Sequence, residues 1–482
     1  MNNTKSTLTY HESLVTPAFR EAVLKHLDRC KKDKRVHVKP LIKMIDHLLL
    51  GTSHDLESKK LPLSWPLLNS MRDGTGTNRA FVAKSFFKIF SKWAFPLEFE
   101  QYDSRKGQVR VLKSAKIPDS LLKARDEMFA APLSERTVYI TSGEPGRLLT
   151  QEERLAAVSS QMALARSPEA KFVLSYMNSL PAEIFDTVLD KLPALYAKIS
   201  QIQDDDIRNH QLANCHQVAC YPKPICKPVE KTTRIFAVGG SFLNLKSCYR
   251  DELLSDWVKL DLNKCQLIVV SSLWAASSIR TTISRSSLGL WADIANHCGA
   301  VLTPEVKDKV KKATYTTVYG GGRTKIRSTF DGVLTPEQAD RFFDFPMIAR
   351  LFKARSNQIE DLYDSESRVD AFGYEMKLTE TGKVKRYKQA TSILACEAQS
   401  YELKILYPVV KYISENCTEE CPVYCTAFLH DGVWIKCDDP YQLQVHLERI
   451  KEIISEESLR LLNVEMTAEI VVPEHLRLDK AA

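Results

Sequence analysis

The sequence lacks the features that would direct a protein to a membrane or out of the cell. Its first residues, Met1-Asn-Asn-Thr-Lys5, contain no apolar stretch, so we expect no signal peptide. Apolar runs such as Cys265–Ala276 are interrupted and too short to span a bilayer. The 12 cysteines follow no regular spacing, which favours free thiols in a reducing compartment over a disulfide framework. We therefore expect a cytoplasmic protein with no membrane partner.

What is present is a globular composition with a modest excess of positive charge. Apolar residues make up 44% and charged residues 26% of the 482 positions, which is typical of a soluble protein of more than one domain. The net charge of +7 is compatible with a polyanionic partner but does not require one. The basic run Arg29–Arg35 fits either a solvated turn or a nucleic-acid contact. The oligomeric state stays open.

The pattern of the chain divides it into three parts. Residues 1–145 favour a mostly helical region of unknown role. Residues 146–231 favour a helical segment followed by a linker, and Thr150-Gln-Glu-Glu153 predicts the capping box that opens its first helix. From residue 232 to 482, short apolar strands alternate with helices, and aspartates stand at strand ends.

A row of basic and aromatic residues stands out in this last part. Lys307, Lys311, Tyr315 and Tyr319 recur at intervals of four, followed by Gly320-Gly-Gly322. On an α-helix this spacing places the four side chains on one face, and glycine is a common helix terminator. Ammonium groups followed by phenol rings suit a triphosphate and a base. A solvated basic helix whose aromatic end packs on a core fits the row equally well.

Two aspartates stand where metal-binding carboxylates are often found. Asp261 is expected at the end of a strand that precedes an apolar helix, and His430-Asp431-Gly432 is expected as the turn of a β-hairpin. Carboxylates at strand ends suit a hard cation such as Mg²⁺. Ordinary capping and turn roles are the alternatives. If the two aspartates meet, they could hold two ions for phosphoryl transfer.

These pieces, in this order, resemble the family A nucleic-acid polymerases, which include the DNA polymerase I-like enzymes and the phage-type single-subunit RNA polymerases. Leu260–Leu267 resembles the first aspartate motif, Lys307–Tyr319 the fingers helix, and Leu429–Asp431 the second aspartate motif. Weaker matches in the same order are Thr233–Val238 with Asn244, Pro336–Gly373, Ala398–Leu403 and Val464–Val472. The resemblance covers about residues 232–480. It implies an α+β right-hand fold, with an antiparallel palm sheet, helical fingers at about 277–390 and a helical thumb in residues 146–231.

The resemblance also implies roles for individual residues in the chemistry. Asp261 and Asp431, helped by the Leu262 carbonyl, would hold two Mg²⁺ ions, with Mn²⁺ as a substitute. Lys311 would contact the triphosphate and protonate pyrophosphate, and Lys307 would hold the outer phosphates.

Further roles implied by the resemblance concern the base, the sugar and the nucleic acid. Tyr315 would stack by the incoming base and sugar, Tyr319 would border the templating base, and Gln266 would act at the sugar. The primer–template would be contacted by His430, Arg234, Asn244 and Gln399.

Departures from the family pattern leave the product open. The DNA-making members usually have Glu at the position of Gln266, and glycine at that of Thr316. Tyr315-Thr316 is a hybrid of the DNA-making and RNA-making patterns. We find no Asp-x-Glu on an early strand, so we expect no proofreading domain. The leading hypothesis is a DNA polymerase of a plasmid, phage or similar element. An RNA-making polymerase or primase and a catalytically inactive nucleic-acid-binding relative are the alternatives.

Overall fold

The computed structural model describes residues 13–28, 38–50, 88–99, 112–139, 146–229, 232–285 and 289–478. The chain forms two compact units. The first comprises Met1–Ser160, Asn178–Lys227 and Ala237–Ser255, and the second comprises Gln161–Met177, Pro228–Phe236 and Asp256–Ala482. The basic run Arg29–Arg35 lies outside the described residues. A mixture of helices with small antiparallel sheets confirms the α+β class at this coarse level.

The first unit is mostly helical where it is described. Its helices, with α4 continuing into the second unit, are α1 (Pro17–His26), α2 (Val38–Leu50), α3 (Asp119–Ala130), α4 (Gln151–Met162), α6 (Asp186–Ser200), α7 (Asp205–Cys220) and α8 (Ser247–Leu253). Residues 88–93 are also helical. Strands β1 (Ser13–Val15) and β4 (Thr137–Tyr139) pair antiparallel, as do β2 (Leu97–Phe99) and β3 (Leu112–Ala115).

Two local features explain how helices of the first unit are held. The predicted capping box is confirmed: the Glu153 N–H donates to Thr150 Oγ1 (3.3 Å) and the Thr150 N–H donates to Glu153 Oε2 (2.8 Å). In the core, Arg20 of α1 pairs with Asp46 of α2 at 2.7 Å, and Ser13 Oγ donates to the same carboxylate at 3.0 Å. Both charges are buried, so each depends on the other to remain in the core.

The chain passes between the units through α5 (Pro168–Ser179) and through β5 (Cys226–Val229) and β6 (Thr232–Ala237). The second unit is built on a four-stranded antiparallel sheet in the order β10-β11-β7-β12. The strands are β7 (Val258–Leu262), β10 (Val423–Leu429), β11 (Gly432–Cys437) and β12 (Ala468–Val471). Strands distant in sequence therefore lie side by side at the centre of the sheet, and their register decides which residues meet.

Long helices and a group of shorter ones complete the second unit. Helices α9 (Cys265–Leu273) and α17 (Pro440–Leu462) pack on α16 (Lys383–Asn416), which also packs on β10. The remaining elements are α10 (Ser277–Arg285), α11 (Leu290–His297), α12 (Pro304–Val318), α13 (Arg323–Thr329), α14 (Pro336–Asp344), α15 (Pro346–Ser365), β8 (Ser367–Val369) and β9 (Glu375–Lys377). No helix in the described ranges is both long and apolar enough to cross a membrane. The cysteines that the structure describes are all free thiols, as expected.

Candidate active site

The two aspartates singled out in the sequence meet through the pairing of β7 with β11. In this register Gly432 stands opposite Asp261, and the Leu262 N–H donates to the Asp431 carbonyl oxygen at 2.9 Å. Asp431 therefore sits in the hairpin turn directly beside the end of β7. The predicted hairpin is confirmed, with β10 ending at Leu429 and β11 beginning at Gly432.

Gly432 is glycine for a steric reason. A Cβ on this residue would lie closer than 3.0 Å to Oδ1 of Asp261 and 3.1 Å from the Leu260 carbonyl oxygen. Real Cβ atoms are almost never found closer than 3.0 Å to another heavy atom. The missing side chain at position 432 is thus what leaves room for the Asp261 carboxylate beside the turn.

The two aspartates differ in their burial and in their charged neighbours. Burial, and then the charge of Asp261, raise the pKa of Asp431 above its usual range, while the charges of Arg234 and Lys311 act in the opposite direction. The carboxylate of Asp261 is 43% exposed and pairs with Lys259 at 3.4 Å. A carboxylate whose ionisation is disfavoured by burial and by a neighbouring negative charge, as at Asp431, is stabilised by a bound cation.

Helix α12 carries the predicted basic and aromatic row. Thr303 caps its start, where Oγ1 accepts from the Val306 N–H at 3.2 Å. Lys307 and Lys311 are exposed, and Tyr315 and Tyr319 are half-buried. The opposite face is buried through Val306, Val310, Ala313, Thr314, Thr317 and Val318. The row is therefore a true helix face rather than part of the core.

The glycines after α12 end it as predicted, in a Schellman motif. The Gly321 N–H donates to the Thr316 carbonyl oxygen at 2.8 Å, the Gly320 N–H donates to that of Thr317 at 3.4 Å, and Gly320 has φ +88°. The buried Arg355 guanidinium of α15 donates to the carbonyl oxygens of Thr317 and Gly321. A cation at the C-terminal end of a helix offsets the negative end of its dipole.

Electrostatic contacts show which way the row faces. The charge of Lys311 acts on Asp431. Burial, and then the charge of Asp431, raise the pKa of Tyr315, whose ring centroid lies 6.1 Å from that of Trp291. The cationic and aromatic parts of α12 are thus both within electrostatic reach of the carboxylate in the hairpin turn.

A buried polar network lies next to Asp431, and its central residue was not recognised in the sequence. Glu402 of α16 is 1% exposed and accepts from Arg234 through Nε at 3.1 Å and through Nη2 at 3.0 Å. It also accepts from Nε2 of Gln266. The Arg234 guanidinium also interacts with the Tyr319 hydroxyl. The one sequence feature that could have pointed to Glu402 is its position in the same helix as the candidate residue Gln399, three residues further on.

Glu402 holds a proton more readily than an ordinary glutamate. Its pKa is raised from 4.5 to about 7. Burial is the main cause, the charge of Arg234 partly offsets it, and the charge of Asp431 adds to it. Arg234 is 19% exposed, and its guanidinium is largely committed to Glu402. Arg234 was expected to contact nucleic acid, but its main partner in the structure is Glu402 of the same chain.

The other candidate residues lie in different places. Gln399 Oε1 accepts from Thr232 Oγ1 at 3.2 Å, so Gln399 lies on the Arg234 side of α16. His430 occupies the hairpin turn with φ +58°. Asn244 belongs to the first unit, where its Oδ1 accepts from Ser241 Oγ at 3.0 Å. It is therefore not part of the group of candidate residues that the second unit brings together.

The donor set fits a hard divalent cation at Asp261 and Asp431. Cys265, Glu402 and Asp431 each place one potential ligand atom within 4.8 Å of the others. However, Glu402 is already occupied by Arg234 and Gln266, and burial raises the pKa of the Cys265 thiol well above its usual value. A protonated thiol is not a metal ligand. That leaves Asp431 in this group, with Asp261 next to it across the strand pair, as the carboxylates available to Mg²⁺.

No protein-family model matches the chain, and no curated protein matches it. Among solved structures, the chain is similar to the POL domain of Pol1 from M. smegmatis, which was determined in complex with DNA primer-template and dNTP. The match has 14% sequence identity and a TM-score of 0.43, and it covers 73% of this chain and 72% of the other. Because this likeness is slight, what the site can do follows from its own residues.

Proposed function

We propose that the chain is a template-directed nucleotidyltransferase that adds nucleotides to a 3′ end by two-metal phosphoryl transfer. One observation carries this proposal: β7 and β11 bring Asp261 and Asp431 together, within reach of a helix that presents exposed lysines and half-buried tyrosines on one face. A solvated basic helix would not need two carboxylates at its face. The motif order described above supports the same conclusion.

Each part of the site has a task in such a transfer. Asp261 and Asp431, with the Leu262 carbonyl, would hold the two Mg²⁺ ions. When bound, such ions stabilise the attacking and leaving oxygens of an in-line displacement at the α-phosphate. Lys307 and Lys311 balance the negative charge of the triphosphate, and the Lys311 ammonium can donate a proton to the departing pyrophosphate.

The aromatic half of α12 would receive the nucleoside. Tyr315, packed near Trp291, offers a ring for the incoming base and sugar. Tyr319, which interacts with Arg234, would border the templating base. Gln266, at the start of α9, is buried and would act at the sugar. His430, Gln399 and Asn244 would contact the primer–template.

The product is most consistent with DNA, made without proofreading by an enzyme of a plasmid, phage or similar element. RNA synthesis is the second candidate, since a neutral amide stands at position 266 and Tyr315-Thr316 matches neither branch fully. A catalytically inactive nucleic-acid-binding relative is disfavoured, because binding alone does not need both aspartates together with Lys311.

The test is an extension assay on the full chain. The purified protein is given Mg²⁺, dNTPs or NTPs, and primed or unprimed DNA or RNA templates. We expect extension in at least one combination, and its loss in Asp261→Ala and Asp431→Ala. Asp438→Ala is the matched control, because Asp438 is an exposed aspartate at the far end of β11.

The control should extend normally, and all three variants should bind template about as well as the wild-type chain. Normal extension by Asp261→Ala or Asp431→Ala would refute the two-metal assignment. Absence of extension by the wild-type chain in every combination would refute the proposed function.

A further inference from the structure

Glu402 has no role in the chemistry described above, although its position is unusual for a carboxylate. It is 1% exposed, and donors reach it from two directions, from the Arg234 guanidinium and from the Gln266 amide. In the ionised form, which the charge of Arg234 favours, a carboxylate can only accept hydrogen bonds. Glu402 therefore requires donors on both sides, and this requirement restricts how the two neighbouring side chains can be oriented.

The restriction matters most for Gln266, whose amide has a donor end and an acceptor end. Nε2 points to Glu402, and if the amide turned over, its oxygen would face a carboxylate oxygen. Oε1 of Gln266 has no hydrogen-bond partner among the described residues, although the residue is only 3% exposed. A buried acceptor without a partner is costly, so a ligand's donor that reached this atom would relieve that cost.

Glu402 is itself held in place from the nucleotide side. The Arg234 guanidinium that pairs with it also interacts with the hydroxyl of Tyr319 at the end of α12. The aromatic end of α12 is thus linked to Gln266 in two steps: Tyr319 interacts with Arg234, and Arg234 and Gln266 both donate to Glu402. The orientation of the Gln266 amide is set by these contacts.

We propose that Glu402 is a positioning residue of the nucleotide-sugar subsite. It holds Gln266 so that the amide oxygen meets a hydroxyl of the incoming sugar, and so that the side chain stays in one place beside the sugar ring. Discrimination between deoxyribose and ribose then depends on the pair, not on Gln266 alone. This inference rests on the proposed function and adds a residue that acts without touching the substrate.

The key variant is Glu402→Gln, which replaces the acceptor by an amide with one oxygen and one NH₂ group. The amide has one oxygen in place of two carboxylate oxygens, so it cannot keep every hydrogen bond that Arg234 and Gln266 donate to Glu402. If its oxygen stays on Arg234, its NH₂ group faces Gln266 and favours the turned-over amide. We expect the ratio of kcat/KM for dNTP to kcat/KM for NTP to move toward one by about tenfold.

Two further variants make the test specific. Glu397→Gln is the matched control, since Glu397 is also a buried carboxylate of α16, is 8% exposed, and interacts with Arg368 and Asp370. It should leave the ratio unchanged. The exchange variant Gln266→Glu with Glu402→Gln restores a hydrogen bond between an amide donor at 402 and an acceptor at 266. It should recover most of the lost discrimination.

The outcomes separate the inference from the proposed function. A merely structural role for Glu402 would lower kcat/KM for both sugars equally, so an unchanged ratio in Glu402→Gln overturns the inference while the proposed function stands. If Glu402→Gln does not fold, Glu402→Asp keeps the charge for Arg234 but draws the anchor back from Gln266, and the same criterion applies. If the wild-type chain incorporates neither nucleotide, the proposed function fails and the inference fails with it.

Discussion

Gly432→Ala is the change whose effect follows most directly from the sheet register. Gly432 stands opposite Asp261, and an added Cβ would lie closer than 3.0 Å to Oδ1 of Asp261 and 3.1 Å from the Leu260 carbonyl oxygen. The backbone oxygen can give only by tenths of an ångström. The carboxylate is the end of a short side chain and is 43% exposed, so it is the group that will move.

The expected magnitudes differ for stability and activity. Crowding of this kind costs about 1–3 kcal/mol in a packed core, and we expect the low end because the Asp261 carboxylate can rotate toward solvent. A displacement of about 1 Å at a reacting group can cost about 100-fold in rate. Gly432→Ala should therefore lose about two orders of magnitude in single-turnover nucleotide incorporation, while its melting temperature falls by only a few degrees.

The assay compares single-turnover incorporation with thermal unfolding on the same preparations. Gly322→Ala is the matched control, because a Cβ there meets nothing within 4 Å and φ is −77°. It should retain both rate and stability. A Gly432→Ala protein that incorporates nucleotide at the wild-type rate would show that Asp261 is not held against the turn as described, or that its carboxylate is not needed.

Three other predictions follow from the same site. Lys311→Ala should slow incorporation by about 100-fold or more, since it removes a charge and a proton donor. The control Lys312→Ala, at the next position along the helix, should change the rate little. If both variants incorporate nucleotide at the same rate, α12 is not part of the site. Gln266→Ala should widen the use of ribonucleotides if the chain makes DNA, and a constant sugar ratio would show that Gln266 is not the gate. Because burial raises the pKa of Glu402 from 4.5 to about 7, the folded protein keeps a proton there that the unfolded chain releases. Wild-type stability should therefore fall, relative to Glu402→Gln, as pH rises from about 4.5 to about 7; parallel pH curves in chemical denaturation would contradict this.

Features that depend on near neighbours in the chain could be predicted from the sequence. The helix with Lys307, Lys311, Tyr315 and Tyr319 on one face is confirmed, and so is its end at the glycines. The β-hairpin around Asp431 is confirmed as well. Helix spacing, capping and turn chemistry act over a few residues, so the local sequence contains most of the information that they need.

The pairing of Asp261 with Asp431 was a conditional expectation. Each could be placed at a strand end, but nothing local says that β7 lies beside β11 and not beside β10. The sheet order β10-β11-β7-β12 joins strands separated by most of the second unit. The register of such a sheet is set by which faces can be buried together, and that is a property of the whole packed unit.

The network of Arg234, Glu402 and Gln266 depends entirely on tertiary packing. The three side chains come from β6, α16 and α9, and their hydrogen bonds exist because burial removes the water that would otherwise satisfy each group. Glu402 looks like an ordinary helix residue in the sequence, and its raised pKa arises from its surroundings. Residue types and local periodicity therefore identified the carboxylates, the lysines and the aromatic row. Tertiary packing determined the partners and the protonation of the buried groups between them, because desolvation depends on every element that covers a site.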